Sequence, residues 1–284
     1  MRSMRYPIGF STLGCPKWPW AAILERASSL GYAGIEIRGI EGEMDLSTRS
    51  EFAPLQIAGT RRQLADRNLV VTDLGASSRL HERDPAIREA QLDETRRFID
   101  IAHRLGARYI RVFPNGYLKD EPHDVTLARI GDTLRELGAF AQGSGVGVLM
   151  ESHGDLTDSN SLVTVMRQAG TGFDTGLVWD THHTVVAGKE APASTWAAIG
   201  SWVRHTHIKD SVASGDDRRY VLLGQGTVGV KAIVQTLVSG GYKGLYNFEW
   251  EKVWHPDIDE PEIAFPQYAQ TMGAWLAEAG IRAQ

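Results

Sequence analysis

Residues 147–183 read GVLMESHGDLTDSNSLVTVMRQAGTGFDTGLVWDTHH. An apolar run at 147–152 gives way to a segment at 161–169 with apolar residues at helical spacing, then to Gly170 and a second apolar run at 176–181. A glycine in the left-handed conformation stops a helix just before a strand, so this stretch reads as one strand–helix–strand unit of a parallel sheet. Both runs end in side chains that bind metals or move protons: Glu151 and His153 after the first, Asp180, His182 and His183 after the second.

The same alternation extends in both directions. Candidate strands fall at 6–12, 34–39, 69–76, 109–114, 147–152, 176–181, 203–210 and 246–251, with amphipathic segments such as 20–30, 87–105, 126–141 and 161–169 between them. Leu30-Gly31, Leu105-Gly106, Ala169-Gly170 and Gly240-Gly241 repeat the helix-stop signal. Strand starts recur every roughly 30 to 40 residues, the size of one βα unit. Eight such units without a break in composition predict a single (β/α)8 barrel over residues 1–284. An open doubly wound sheet is disfavoured because the first strand lacks the glycine fingerprint of a dinucleotide site. Connections at 40–55, 77–85 and 211–228 are longer than the barrel needs, and loops after strands wall the active end of such a fold.

The chain has 284 residues, 42% of them hydrophobic, enough to bury one large core. With 30 Lys and Arg against 35 Asp and Glu, the net charge of -5 gives no footprint for nucleic acid, and a small molecule is the expected partner. Cys15 is the only cysteine, so no internal disulfide can form, and it has no assigned base that would make it a nucleophile. The basic start Met1-Arg2-Ser3-Met4-Arg5 runs into prolines and tryptophans rather than the apolar stretch of a secretory signal, and charged or glycine positions interrupt every apolar run. No membrane association and a cytoplasmic location are expected.

Ligand-type residues gather at the trailing ends of the last four strands. Besides Glu151 and Asp180 there are His205, His207, Lys209 and Asp210 in VRHTHIKD, and Glu249 and Glu251 in YNFEWEK. Inward carboxylates at one mouth repel one another, and a divalent cation resolves the conflict. Oxygen-rich ligation with one imidazole suits Mn, Mg, Co or Zn.

In order along nearly the whole chain, the motifs Leu30-Gly31-Tyr32 with Gly34-Ile35-Glu36-Ile37-Arg38, Glu-x-His-Gly, Asp-x-x-His, His-x-His-Ile-Lys-Asp, Gly224-Gln225-Gly226 and Phe-Glu-Trp-Glu resemble the xylose-isomerase-like TIM-barrel superfamily, in particular its sugar-phosphate isomerase/epimerase group. The resemblance implies one divalent metal on Glu151, Asp180, His207 and Glu249, and implies substrate contacts from His183, His153 and Lys209. Ser152 stands where asparagine is common in that group. Strand alternation places Asp180 and His182 on one face, whereas the resemblance selects His183, where the strand turns. His205 shares a face with His207 and reads as a deeper, hydrogen-bonded core histidine. Asp210 reads as support for a neighbouring loop or ligand. Glu36, Arg38 and Arg111 read as an internal ion-pair set or as substrate contacts, Trp18, Trp20, Trp250 and Trp254 as packing or as sugar-stacking faces, and Arg218 and Arg219 as loop charges that could close on a substrate.

With these residues, the resemblance implies a metal-dependent isomerase or epimerase of a small sugar or sugar-like hydroxy ketone or aldehyde. Glu151 and Glu249, taken as lying on opposite sides of the barrel, act as acid and base through an enediolate. A dehydratase of inosose or dehydroshikimate type is the alternative. An endonuclease is disfavoured because its further metals need histidines after strands two and three, where only His81 stands. A non-catalytic sugar-binding barrel is the remaining rival, and homo-oligomerisation is implied by resemblance alone.

Overall fold

Apolar runs and glycine stops become strands and turns much as the periodicity dictates. The structure, a computed structural model, describes residues 4–215 and 217–283; residues 1–3 of the basic start and Asp216 of the 211–228 connection lie outside the described residues. Its strands are β1 (Ile8–Ser11), β2 (Gly34–Ile37), β3 (Val70–Arg79), β4 (Tyr109–Phe113), β5 (Gly147–Glu151), β6 (Thr175–Asp180), β7 (Val203–Ile208), β8 (Asp210–Ser214), β9 (Asp217–Val221) and β10 (Tyr246–Phe248). The helices are α1 (Trp20–Ser29), α2 (Ile57–Asp66), α3 (Pro85–Leu105), α4 (His123–Ala141), α5 (Ser159–Ala169), α6 (Thr181–Val186), α7 (Pro192–Ile199), α8 (Val230–Ser239) and α9 (Pro261–Glu278). Eight strands close in the order β1-β10-β7-β6-β5-β4-β3-β2, a (β/α)8 barrel, and β8 and β9 form a separate two-stranded sheet. Among the described residues no helix is long and apolar enough to cross a membrane.

Contacts group the chain into two compact units, Met1–Thr72 with His205–Gln284, and Asp73–Arg204. In the first, β2, β1, β10 and β7 run parallel, with Gly9 beside Gly34 and Asn247, and Asn247 beside His207. Alternation on β10 sends Tyr246 and Phe248 toward α9, where Phe248 stacks on Tyr268 at 4.3 Å. Asn247, between them, faces the other way and meets Glu36.

In the second unit, β3 to β6 are successive parallel neighbours. Every residue of β5 and β6 is buried, as expected of strands covered on both faces. Asp84 caps α3 by accepting from the Ala86 and Ile87 amides, with Pro85 in the first turn, and Asp158 caps α5 through the Ser161 amide. Gly31, Gly106, Gly170 and Gly241 take positive φ of 78°, 83°, 78° and 77°.

Two connections differ from the sequence reading. β3 continues through residues 77–79 because its register shifts between Gly75 and Arg79, and α3 supplies partners there: Glu94 accepts from the Ser77 amide and Gln91 from the Arg79 amide. The 211–228 connection contains the β8–β9 hairpin, which pairs Ser211 with Tyr220 and Val212 with Arg219.

Candidate metal centre

The mouth of the second unit is organised around two carboxylates. Glu151 closes β5, buried, with its Oε2 3.1 Å from the Arg111 Nε of neighbouring β4. Arg111 also donates to the Ala76 carbonyl at 2.9 Å and lies over the Phe113 ring at 4.0 Å. Of the expected ion-pair set, then, Arg111 is committed to Glu151. Asp180 closes β6 and caps α6: its Oδ1 accepts from the His183 amide at 3.0 Å, and its Oδ2 lies 3.3 Å from His183 Nε2. Ser152 joins the two strand ends, since its hydroxyl accepts from the Asp180 amide at 2.9 Å.

Because α6 begins at Thr181, strand alternation no longer governs residues 182 and 183. Both histidines place a ring nitrogen within 4.8 Å of an Asp180 oxygen, His183 part-exposed and His182 buried. His153 sets its ring 4.6 Å from Phe113 and edge-on to His183 at 5.1 Å. Burial pushes the His153 imidazole below its ordinary range, and its Nδ1 has no hydrogen-bond partner among the described residues.

The first unit contributes His207 and Glu249. His207 Nδ1 is 3.1 Å from Glu249 Oε1, and its Nε2 is 2.7 Å from Glu36 Oε2. His205, also buried, meets the same Glu36 oxygen at 3.0 Å. Lys209, fully buried, donates to both Glu249 and Glu251. Burial alone would raise the Glu249 carboxyl, but His207 and Lys209 hold it well below the carboxylate range. Asp210 binds a loop, its carboxylate accepting from the Gly224 and Gly226 amides at 3.0 Å each.

Ligand atoms of Glu151, Asp180, His207 and Glu249, all four buried, lie within 4.8 Å of one another. Three carboxylates and one imidazole so placed fit a hard or borderline divalent cation, whose charge would offset the carboxylate excess.

Two expected substrate contacts stand elsewhere. Trp18 is buried edge-on to Phe265 at 5.4 Å and donates to Glu262 at 3.0 Å, so it serves the packing of α9. Arg218 donates to the Ser211 hydroxyl at 3.0 Å and to the Ser211 carbonyl at 3.1 Å, so it clamps the hairpin. Trp20 and Trp250 are buried, and Trp254 is exposed. Sequence reasoning missed the tie from Glu36 to both histidines and the bridge from Glu249 through Lys209 to Glu251. The inward place of Glu36 between Ile35 and Ile37 was the available signal for the first.

A family model for the xylose isomerase-like TIM barrel matches residues 24–277, and the chain belongs to that family. Among known proteins it is similar to a fructoselysine 3-epimerase of Shigella flexneri, 25% identical over 288 residues that cover 95% of this chain and 98% of that one. An L-ribulose-5-phosphate 3-epimerase of Escherichia coli is 24% identical over 291 residues, covering 99% of each. Solved structures that share the fold include an L-ribulose 3-epimerase, with TM-score 0.77, 17% identity and coverage of 96% and 95%. A probable 3-DHS dehydratase of Bacillus anthracis gives TM-score 0.75, 15% identity and coverage of 95% and 99%. The IOLI protein with a bound zinc atom gives TM-score 0.74, 19% identity and coverage of 96% and 97%.

Proposed function

We propose that this chain is a single-domain, metal-dependent isomerase or epimerase of a small sugar or sugar-like hydroxy ketone or aldehyde, with one Mn, Mg, Co or Zn ion held by Glu151, Asp180, His207 and Glu249. The convergence of those four buried side chains carries the reading. It is supported by two 3-epimerases that align with 95% and 99% of the chain.

Glu151 and Glu249 are the acid and base. One carboxylate takes the proton from the carbinol carbon beside the substrate carbonyl, and the C–H electron pair passes into an enediolate. The other, protonated from solvent at the start of the cycle, returns its proton to that carbon from the opposite face, which inverts it, or to the neighbouring carbon while a hydroxyl proton passes between the two oxygens, which isomerises the sugar; both groups then exchange protons with solvent. A bound divalent ion supplies positive charge against the enediolate oxygens. Arg111 orients Glu151, and Lys209 orients Glu249. His153, whose imidazole burial shifts down, and His183 orient substrate hydroxyls.

Metal analysis of the purified protein, followed by a panel of ketoses, inososes and hydroxypyruvate scored for solvent deuterium at the α-carbon, tests the proposal. Glu151→Gln with metal bound should abolish deuterium uptake, and retained uptake would refute the role of Glu151. A product that has lost water would move the reading to the dehydratase.

A further inference from the structure

Glu36 lies inside the first unit on β2, fully buried between Ile35 and Ile37. Its Oε2 meets three nitrogens: His205 Nε2 at 3.0 Å, His207 Nε2 at 2.7 Å and Asn247 Nδ2 at 3.0 Å. The strands involved, β2, β10 and β7, sit in a continuous row with β1, and β1 contributes space: a Cβ on Gly9 would stand 2.8 Å from Asn247 Oδ1. Glu36 Oε1 has no hydrogen-bond partner among the described residues. With three nitrogens within 3.0 Å of it, Glu36 Oε2 is placed as an acceptor.

An ionised carboxylate only accepts hydrogen bonds. Both imidazoles must therefore present Nε2–H to it, and a neutral His207 then has its lone pair on Nδ1. Nδ1 is also the ring atom on the Glu249 side. We infer that Glu36 is a positioning residue for the metal centre: by holding Nε2–H of His207 it fixes the tautomer and rotation of the ring, so that Nδ1 is the ligand atom. His205 and Asn247 complete the acceptor's donors and lock the carboxylate in turn. The inference rests on the four-ligand reading of the site.

The test uses the full chain stripped of metal. Mn2+ affinity is measured by competition with a chromophoric chelator, and the visible spectrum is recorded with Co2+. Glu36→Gln keeps the size of the side chain but replaces an acceptor oxygen with a donor, and should weaken Mn2+ binding by about 10- to 100-fold and alter the Co2+ bands. Asn247→Ala, which removes one donor but leaves the carboxylate in place, should weaken Mn2+ binding less than Glu36→Gln does. Glu36→Gln with wild-type affinity and an unchanged Co2+ spectrum overturns the role of Glu36 alone. Wild-type protein that binds no divalent ion overturns the metal reading itself, and with it this inference. If Glu36→Gln does not fold, imidazole proton–nitrogen correlation spectra of the zinc-loaded wild type decide: a proton on Nε2 of His207 with Nδ1 bound supports the inference, and coordination through Nε2 overturns it.

Discussion

Arg111 and Glu151 form an ion pair between neighbouring strands, Nε to Oε2 at 3.1 Å, with both side chains 2% exposed. Removing one member of a buried pair strands the other charge at a cost of about 3–5 kcal/mol. Arg111→Met should therefore lower the stability of metal-free protein by that order in urea denaturation, and added divalent ion should restore part of it. A surface pair contributes under about 1 kcal/mol, and a loss that small would show that Glu151 is compensated by other means.

Asp210 should control the order of the segment after the hairpin. Its carboxylate accepts from the amides of Ser211 at 2.9 Å, Gly224 and Gly226 at 3.0 Å, and Val228 at 3.4 Å. Asp210→Ala removes that acceptor and should cost about 3 kcal/mol. Gly226→Ala should open the same turn, because its Cβ would fall 1.9 Å from Asp210 Oδ1. Limited proteolysis reports on both: cleavage within residues 222–228 should rise sharply, and an unchanged digest would count against the role of Asp210.

Glu121 provides a pH dependence away from the metal centre. Hydrogen bonds from Arg129 and Thr126 lower its carboxyl from 4.5 to about 2. A folded pKa below the unfolded one means stability that is full above about pH 4.5 and disappears as pH falls through 2. The difference in urea midpoint between wild type and Glu121→Gln should hold steady from neutral pH down to about pH 5 and shrink below that. A constant difference down to pH 3 would contradict the assignment.

Cys15 should be silent in the native protein. It is buried, and burial first and Glu262 second push its thiol well up, so little thiolate forms. Labelling by a thiol reagent should follow unfolding, with a rate that rises with urea. Rapid labelling without denaturant would disprove this.

The periodicity of the chain by itself determined the barrel. Helical segments end at Gly31, Gly106, Gly170 and Gly241 because glycine alone takes positive φ without a steric cost, and the glycines are visible in the sequence. The residue types at the trailing ends of the last four barrel strands were equally legible, since a strand ends where its apolar run ends. Only the tertiary structure decided how those residues are held. Glu36 meets His205, His207 and Asn247 across 169, 171 and 211 residues of sequence. Arg111 pairs with Glu151, and α6 begins at Thr181, so strand alternation does not place His183, whose Nε2 lies 3.3 Å from Asp180 Oδ2. Local pattern encodes local conformation, whereas the choice of a partner for a buried charge depends on strand order and register, which are fixed only when the strands are brought side by side.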